Sequence, residues 1–190
     1  MMKLDEGDLN YLNNSELKTF CKKHGILYSI CIQKEDGTKK RTNEEDRKGI
    51  VLKLVRHFLL TREILPETCF PSDVVSTSPP PKNLKAQDKL FYGHYDKGNI
   101  SMIALLKRLT KGKFENGAIA RILLREFWSN GKAPTYEEFA SAWLQAKENH
   151  KKPNTEWAFL SDLSAGKDVK NWKALRARKA KAVLAVLNRF

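Results

Sequence analysis

Apolar residues recur at helical spacing soon after the start of the chain. One face of this repeat carries Leu17, Phe20, Cys21 and His24. Asn13 is placed to cap the helix, and Glu16 three residues later can complete a capping box. Gly25 follows the last apolar position, where a residue in the left-handed conformation commonly ends a helix. We therefore predict a first helix that begins after Asn13 and ends at Gly25.

A second helical pattern follows a short stretch rich in β-branched and aromatic residues. Its apolar positions are Ile50, Val51, Leu54, Val55 and Phe58. Thr42 and Glu45 have the spacing of a capping box, which predicts that this helix begins at Thr42. Between the two helices, Asp36-Gly37 favours a tight turn, so we expect a small hairpin or an extended loop. The basic tripeptide 39–41 then lies just before the second helix.

Prolines interrupt the helical patterns after the second helix. Pro66, Pro71 and the run Pro79-Pro80-Pro81 lie in this stretch. Proline lacks a backbone donor and fixes φ, and consecutive prolines favour extended polyproline II structure. We therefore predict a Pro/Ser-rich linker at 63–87, which separates a module at 1–62 from a basic helical domain at 88–190.

Helical spacing resumes beyond Gly98 and continues to the end of the sequence. The pattern predicts a helix ending near Gly112, then helices near 116–129, 135–149 and 155–164, and a last one from about Asp168. Thr135 and Glu138 form another potential capping box. The predicted fold class is mainly α, with a helix–extended loop or hairpin–helix module and a C-terminal bundle of about five helices. Alternatively, 116–129, 135–149 and 155–164 form a trihelical helix-turn-helix.

The last predicted helix combines an apolar face with many cations. We expect its apolar face to dock on the C-terminal bundle through residues such as Leu175, Val183, Val186 and Leu187. Its other face offers a surface for phosphate contacts. The candidate DNA-binding residues on it are Lys173, Arg176, Arg178 and Lys179.

The charge balance favours a polyanionic partner. The 190 residues include 35 Lys and Arg against 22 Asp and Glu, a formal net charge of +13. Residues 151–190 hold 10 of these cations and 3 of the acids, so more than half of the excess lies there. Cationic surfaces bind nucleic acid through the release of counterions. Basic surfaces also serve solubility, ribosome assembly or contact with anionic membranes.

Other classes of function have little support in the sequence. No apolar run approaches the roughly 20 residues of a membrane helix, and no secretion signal is evident, so we expect an intracellular protein. Cys21, Cys31 and Cys69 are widely spaced, which argues for reduced thiols and against a metal site. We predict no enzyme site, no cofactor and no metal. The polar and aromatic segment 88–97 is expected to be an ordered strand or turn, or else a binding loop.

The N-terminal pattern resembles the SAP motif, a helix–extended loop–helix DNA-binding module. The similarity lies in the segment Leu12-Asn-Asn-Ser-Glu-Leu-Lys-Thr-Phe-Cys-Lys-Lys-His-Gly-Ile26, with Gly37-Thr38-Lys39 and 52–58 as approximate matches over a longer connection. The resemblance covers about residues 9–62. It implies binding of double-stranded DNA through phosphates and groove shape. The candidate contact residues in this part are Lys22, Lys23, Lys39, Lys40, Arg41, Lys48, Lys53 and Arg56.

The function predicted from the sequence is non-enzymatic binding of double-stranded DNA, in an architectural or regulatory role. Two alternatives stay open. The protein could be a structural component of a nucleoprotein assembly, such as a virion, ribosome or recombination complex, that binds RNA or protein. It could also be an accessory subunit whose C-terminal domain binds another protein.

Overall fold

The chain folds into two compact units that do not follow the order of the sequence. The computed structural model describes residues 7–149 and 169–190, with side chains from residue 174 onward in the second range. The first unit is composed of Met1–Ser29, Glu44–Glu67 and Lys152–Phe190, and the second of Ile30–Asn43 and Thr68–Lys151. This division differs from the predicted modules, because the last helix belongs with the first two helices.

The described helices and strands are as follows. The helices are α1 Asn14–His24, α2 Lys48–Thr61, α3 Ile100–Leu109, α4 Ala118–Ser129, α5 Tyr136–Asn149 and α6 Val169–Leu187. The strands are β1 Ser29–Gln33, β2 Lys39–Glu45 and β3 Cys69–Phe70, and short 3-10 turns occur at Asp8–Tyr11 and Ser72–Val74. The prediction of a helix-rich chain is confirmed, and the structure adds a small three-stranded sheet.

Helix α1 begins and ends where the sequence predicts. The Glu16 amide donates to Asn13 Oδ1 at 2.8 Å, and the Asn13 amide donates to Glu16 Oε2 at 2.7 Å. These two bonds complete the capping box. Gly25 follows the helix with a φ of 70°, and its amide donates to the Cys21 carbonyl. Both boundary predictions are therefore confirmed.

The core of the first unit is formed by α1, α2 and α6. It contains Leu12, Leu17, Phe20, Cys21, Val51, Leu52, Val55, Ala180, Val183 and Leu187. The expectation that the last helix docks on the C-terminal bundle is therefore wrong for the part of it that the structure describes. The periodicity of α6 correctly indicates Val183 and Leu187 as core positions, but an apolar face fits any apolar partner. Only the tertiary fold selects the partner.

The predicted start of the second helix is also wrong. Strand β2 continues through Thr42 and Glu45, and α2 begins at Lys48, after Arg47, which makes no side-chain cap bond. The Thr42 hydroxyl donates to the Ile30 carbonyl at 2.8 Å instead of capping a helix. Pairing with the neighbouring strand β1 thus overrides the local capping pattern, because it satisfies the backbone groups of this segment without a helix.

The sheet has the order β2-β1-β3, with β1 and β3 parallel. Cys31 is in register with Cys69, and Ile32 with Phe70. The predicted turn is present between β1 and β2: Gly37 has a φ of 81°, and the Thr38 amide donates to Asp36 Oδ1 at 2.9 Å. The structure therefore has the hairpin rather than an extended loop.

The second unit has a core rich in aromatic residues. Its largest members are Phe70, Phe114, Trp128, Tyr136, Phe139 and Trp143. Phe70 and Val74 come from the predicted linker 63–87, so this part of the linker is in the core of the unit.

Thr135 and Glu138 form the predicted capping box at the start of α5, which is confirmed. The predicted helix 155–164, and with it the trihelical alternative, lies outside the described residues.

The segment 88–97 is an ordered lead-in to the helices. The Leu90 amide donates to the Pro134 carbonyl at 2.7 Å, and the buried His94 ring lies 3.0 Å from the Ser78 carbonyl. Gly93 has a φ of 99°, and a Cβ at this position would lie 2.5 Å from the Ser76 carbonyl oxygen. This contact requires glycine. The expectation of an ordered strand or turn is confirmed.

Candidate nucleic-acid interface

The basic tripeptide Lys39-Lys40-Arg41 lies on β2, which is an edge strand of the sheet. All three side chains are exposed. Because successive side chains on a strand point to opposite faces, Lys39 and Arg41 share one face and Lys40 occupies the other. The strand therefore carries positive charge on both of its sides. Lysine on an edge strand also discourages pairing with other chains, which is a purely structural use of the same residues.

The first unit presents a separate set of exposed cations. Lys22 and Lys23 occupy the last turn of α1, and Lys53 lies on the outer face of α2. The Lys23 ammonium donates to the Asn188 carbonyl at 3.2 Å. Cations are favourable at the C-terminal ends of helices, where backbone carbonyls lack partners. Arg178 is exposed on α6, whereas the side chain of Lys173 lies outside the described part of the chain.

Other cations predicted to contact DNA are used inside the first unit. The Lys48 ammonium donates to the Asn10 carbonyl at 2.6 Å, and Arg56 donates to Asn10 Oδ1 at 3.0 Å. Burial, together with the positive charge of Arg176, lowers the pKa of Lys48, while Glu16 acts in the opposite direction. Both side chains are half-buried. They stabilise the 3-10 turn at Asp8–Tyr11 against α2.

Arg176 makes the corresponding contacts from α6. Its Nε donates to the Tyr11 carbonyl at 3.0 Å, and its Nη2 forms an ion pair with the Glu16 carboxylate on α1. Lys179 lies 3.7 Å from Asp8 Oδ1 and 5.6 Å from the centre of the Tyr11 ring. Lys179 is nevertheless exposed, and we call the half-buried Lys48, Arg56 and Arg176 the internal cations. Their polar groups serve the packing of the unit, which reduces what they offer to a ligand.

Arg62 is a surface cation that the sequence analysis did not single out. It follows α2 with a φ of 66°, in the left-handed region that favours glycine. Its guanidinium carbon lies 5.9 Å from the centre of the Phe58 ring and 4.3 Å from that of Phe190. The available signal was its position just after the last helical residue, where an arginine instead of glycine is unusual.

Arg62 and Lys23 also act on a common neighbour, His24. The His24 ring lies 5.2 Å from the Phe58 ring, which Arg62 covers. Partial burial, followed by the positive charges of Lys23 and Arg62, lowers the pKa of His24 below its ordinary value. Lys23 and Arg62 therefore place two positive charges near the C-terminal ends of α1 and α2. We call Lys23, Arg62 and their contacts Phe58, Phe190 and Asn188 the helix-end cluster.

Within residues 7–149 and 169–190, the structure shows no group of three or more His, Cys, Asp or Glu residues suited to a metal ion. In the same part of the chain, no helix has the length and apolar character required to cross a membrane. Comparison of the chain with protein-family models, with curated proteins and with solved structures found no match.

Proposed function

We propose that this protein binds double-stranded DNA without catalysis, chiefly through its phosphates. The observation that carries the proposal is the exposure of Lys39, Lys40 and Arg41 along the edge strand β2. Three adjacent cations on a narrow hairpin can follow a phosphate backbone, because both faces of the strand offer charge. Lys22, Lys23 and Lys53 supply further exposed cations in the first unit.

Contacts of this type favour affinity over sequence preference. Lysine and arginine on phosphates position a protein on the duplex, while sequence is read by groups that reach the base edges. Any preference for particular sequences would then arise from groove shape and flexibility. The SAP resemblance adds support through α1, whose capping box and glycine end have the form that the motif implies. The connection between α1 and α2 adds no support, because it is a hairpin where the motif has an extended loop.

The proposal is tested by neutralising the hairpin. The variant Lys39→Ala, Lys40→Ala, Arg41→Ala is compared with the wild type by fluorescence anisotropy on a 20-bp duplex at several salt concentrations. We expect affinity at low salt to fall on the order of tenfold or more, similarly on duplexes of different sequence. The slope of log affinity against log salt should decrease by roughly 2 to 3, because each lost phosphate contact contributes about 0.9.

A matched control separates local contacts from net charge. Lys107, Arg108 and Lys113 are also exposed and also belong to the second unit, at and just after the end of α3. Replacing these three residues with Ala removes the same charge from another surface. We expect this variant to keep most of the wild-type affinity for duplex DNA. Equal losses in both variants would contradict the assignment to β2. A wild type that binds structured RNA but ignores duplex DNA at low salt would refute the proposal and favour a role in a ribonucleoprotein assembly.

A further inference from the structure

We propose that the helix-end cluster is a second phosphate-binding point, at which Arg62 contacts one backbone phosphate through two parallel N–H donors and Lys23 supports it. This inference rests on the proposed function, since it names a further contact for the same nucleic-acid ligand. It does not involve the residues of β2 on which that proposal depends.

Arg62 has a backbone conformation that is unusual for an L-amino acid. Its φ of 66° is one that L-amino acids adopt at a cost, and glycine is the common residue at this position after a helix. The other such non-glycine residue among those described is Lys111, with a φ of 51°. A residue in this conformation is held there by its surroundings, and such residues are frequent at ligand-binding sites. At Arg62 the strained backbone directs the guanidinium over two aromatic rings.

Two aromatic rings lie beneath the Arg62 guanidinium. With Phe58 and Phe190 below it, the guanidinium is held in position by cation–π attraction. Contact with an aromatic face leaves the N–H groups at the edges of the planar guanidinium available. Among the described residues, the Arg62 side chain makes no hydrogen bond or ion pair. A planar, positioned fork of this type matches the two oxygens of a phosphate.

A second cation, Lys23, belongs to the same cluster. Lys23 is exposed, and although it donates to the Asn188 carbonyl, an ammonium has three donors and retains others. The depressed pKa of His24 fits the presence of both positive charges at this place. The nearest acid in sequence is Glu63, which is exposed and lies 3.8 Å from His57 Nε2. The cluster thus combines a positioned guanidinium with an exposed ammonium.

The test uses Arg62→Gly with Lys111→Gly as its matched control. Both substitutions remove one positive charge and relieve a left-handed residue, but Lys111 belongs to the second unit. On a labelled 20-bp duplex at about 100 mM salt, we expect Arg62→Gly to weaken binding roughly fivefold to tenfold and to lower the salt slope by about 1. Lys111→Gly should stay within about twofold of the wild type.

A third variant, Arg62→Lys, tests whether the paired N–H donors of the guanidinium are required. It keeps the charge and loses the paired donors, so we expect an affinity between those of the wild type and Arg62→Gly. The Arg62 Nε–H resonance should also shift when duplex is added, and more than that of Arg178. Melting temperatures show whether each variant is folded, and the resonance of the wild type does not depend on any variant.

The outcomes separate the two proposals. If the wild type binds duplex and the β2 variant is weakened, but Arg62→Gly binds as well as Lys111→Gly, the helix-end site is overturned and the proposed function stands. If Arg62→Lys equals the wild type, or the Arg62 resonance does not move, the two-donor contact is overturned. If the wild type binds no duplex, the proposed function itself fails.

Discussion

The two units of this protein use their lysines and arginines in different ways. In the first unit, four cations contact backbone carbonyls, an amide oxygen and carboxylates that lie between the 3-10 turn, α1, α2 and α6. In the second unit, the core is aromatic, and the ion pairs of Lys132 with Glu138 and of Lys147 with Glu115 lie on its surface. The difference shows that a basic residue has no fixed role: its use depends on whether the neighbouring segments place acceptors in the interior of the unit or at its surface.

The construction of the units explains this contrast. The first is assembled from three segments that are far apart in sequence, whereas the second is mostly one continuous segment with an added hairpin. Helices from distant segments meet at ends and turns that have unpaired carbonyls, and cations are suited to these places.

The largest expected effect tests whether α6 is part of the first core. Leu187→Ala removes a side chain that is 1% exposed and packs with residues of α1 and α2. We expect the free energy of unfolding to fall by about 2–5 kcal/mol, measured by denaturant titration. Leu60→Ala makes the same change at a residue that is 79% exposed, and should cost less than about 0.5 kcal/mol. A similarly small loss of unfolding free energy in both variants would show that α6 is not part of the first core.

An intermediate effect tests the internal cations. Arg176→Ala leaves the Tyr11 carbonyl and the Glu16 carboxylate without this donor, so we expect a loss of about 1–3 kcal/mol in the free energy of unfolding. Arg178→Ala, two residues along the same helix, removes an exposed guanidinium and should change stability by less than about 0.5 kcal/mol. If both variants are equally stable, Arg176 is a surface cation after all.

The smallest effect is the pH dependence of the first unit. The pKa of His24 is lowered in the folded state by partial burial and by Lys23 and Arg62. The unfolded chain therefore binds the proton more readily, and stability falls as the pH drops through the ordinary histidine pKa of about 6.5. We expect the melting temperature to decrease between pH 7.5 and 5.5, and to decrease less in His24→Gln. An identical pH dependence in both proteins would contradict this assignment.

Much of the local structure followed from the sequence alone. The capping boxes at Asn13 and Thr135, the end of α1 at Gly25 and the turn at Gly37 are set by contacts within a few residues, and all are present. Such features depend on side chains that bond backbone groups a few residues away. The local sequence therefore predicts them without knowledge of the rest of the fold. Thr42 and Glu45 have a similar pattern, but a strand partner from another segment overrides it.

The grouping of the elements and the use of the charges were decided only by the tertiary structure. The apolar stripe of α6 determines that the helix has a buried face, but not that this face meets α1 and α2. Likewise Arg176 and Arg178 are two similar cations in one basic run, and only the positions of Tyr11 and Glu16 distinguish them. Hydrophobic burial is non-directional, and the cost of an unpaired polar group depends on its neighbours in space. Neither is determined until distant segments come together.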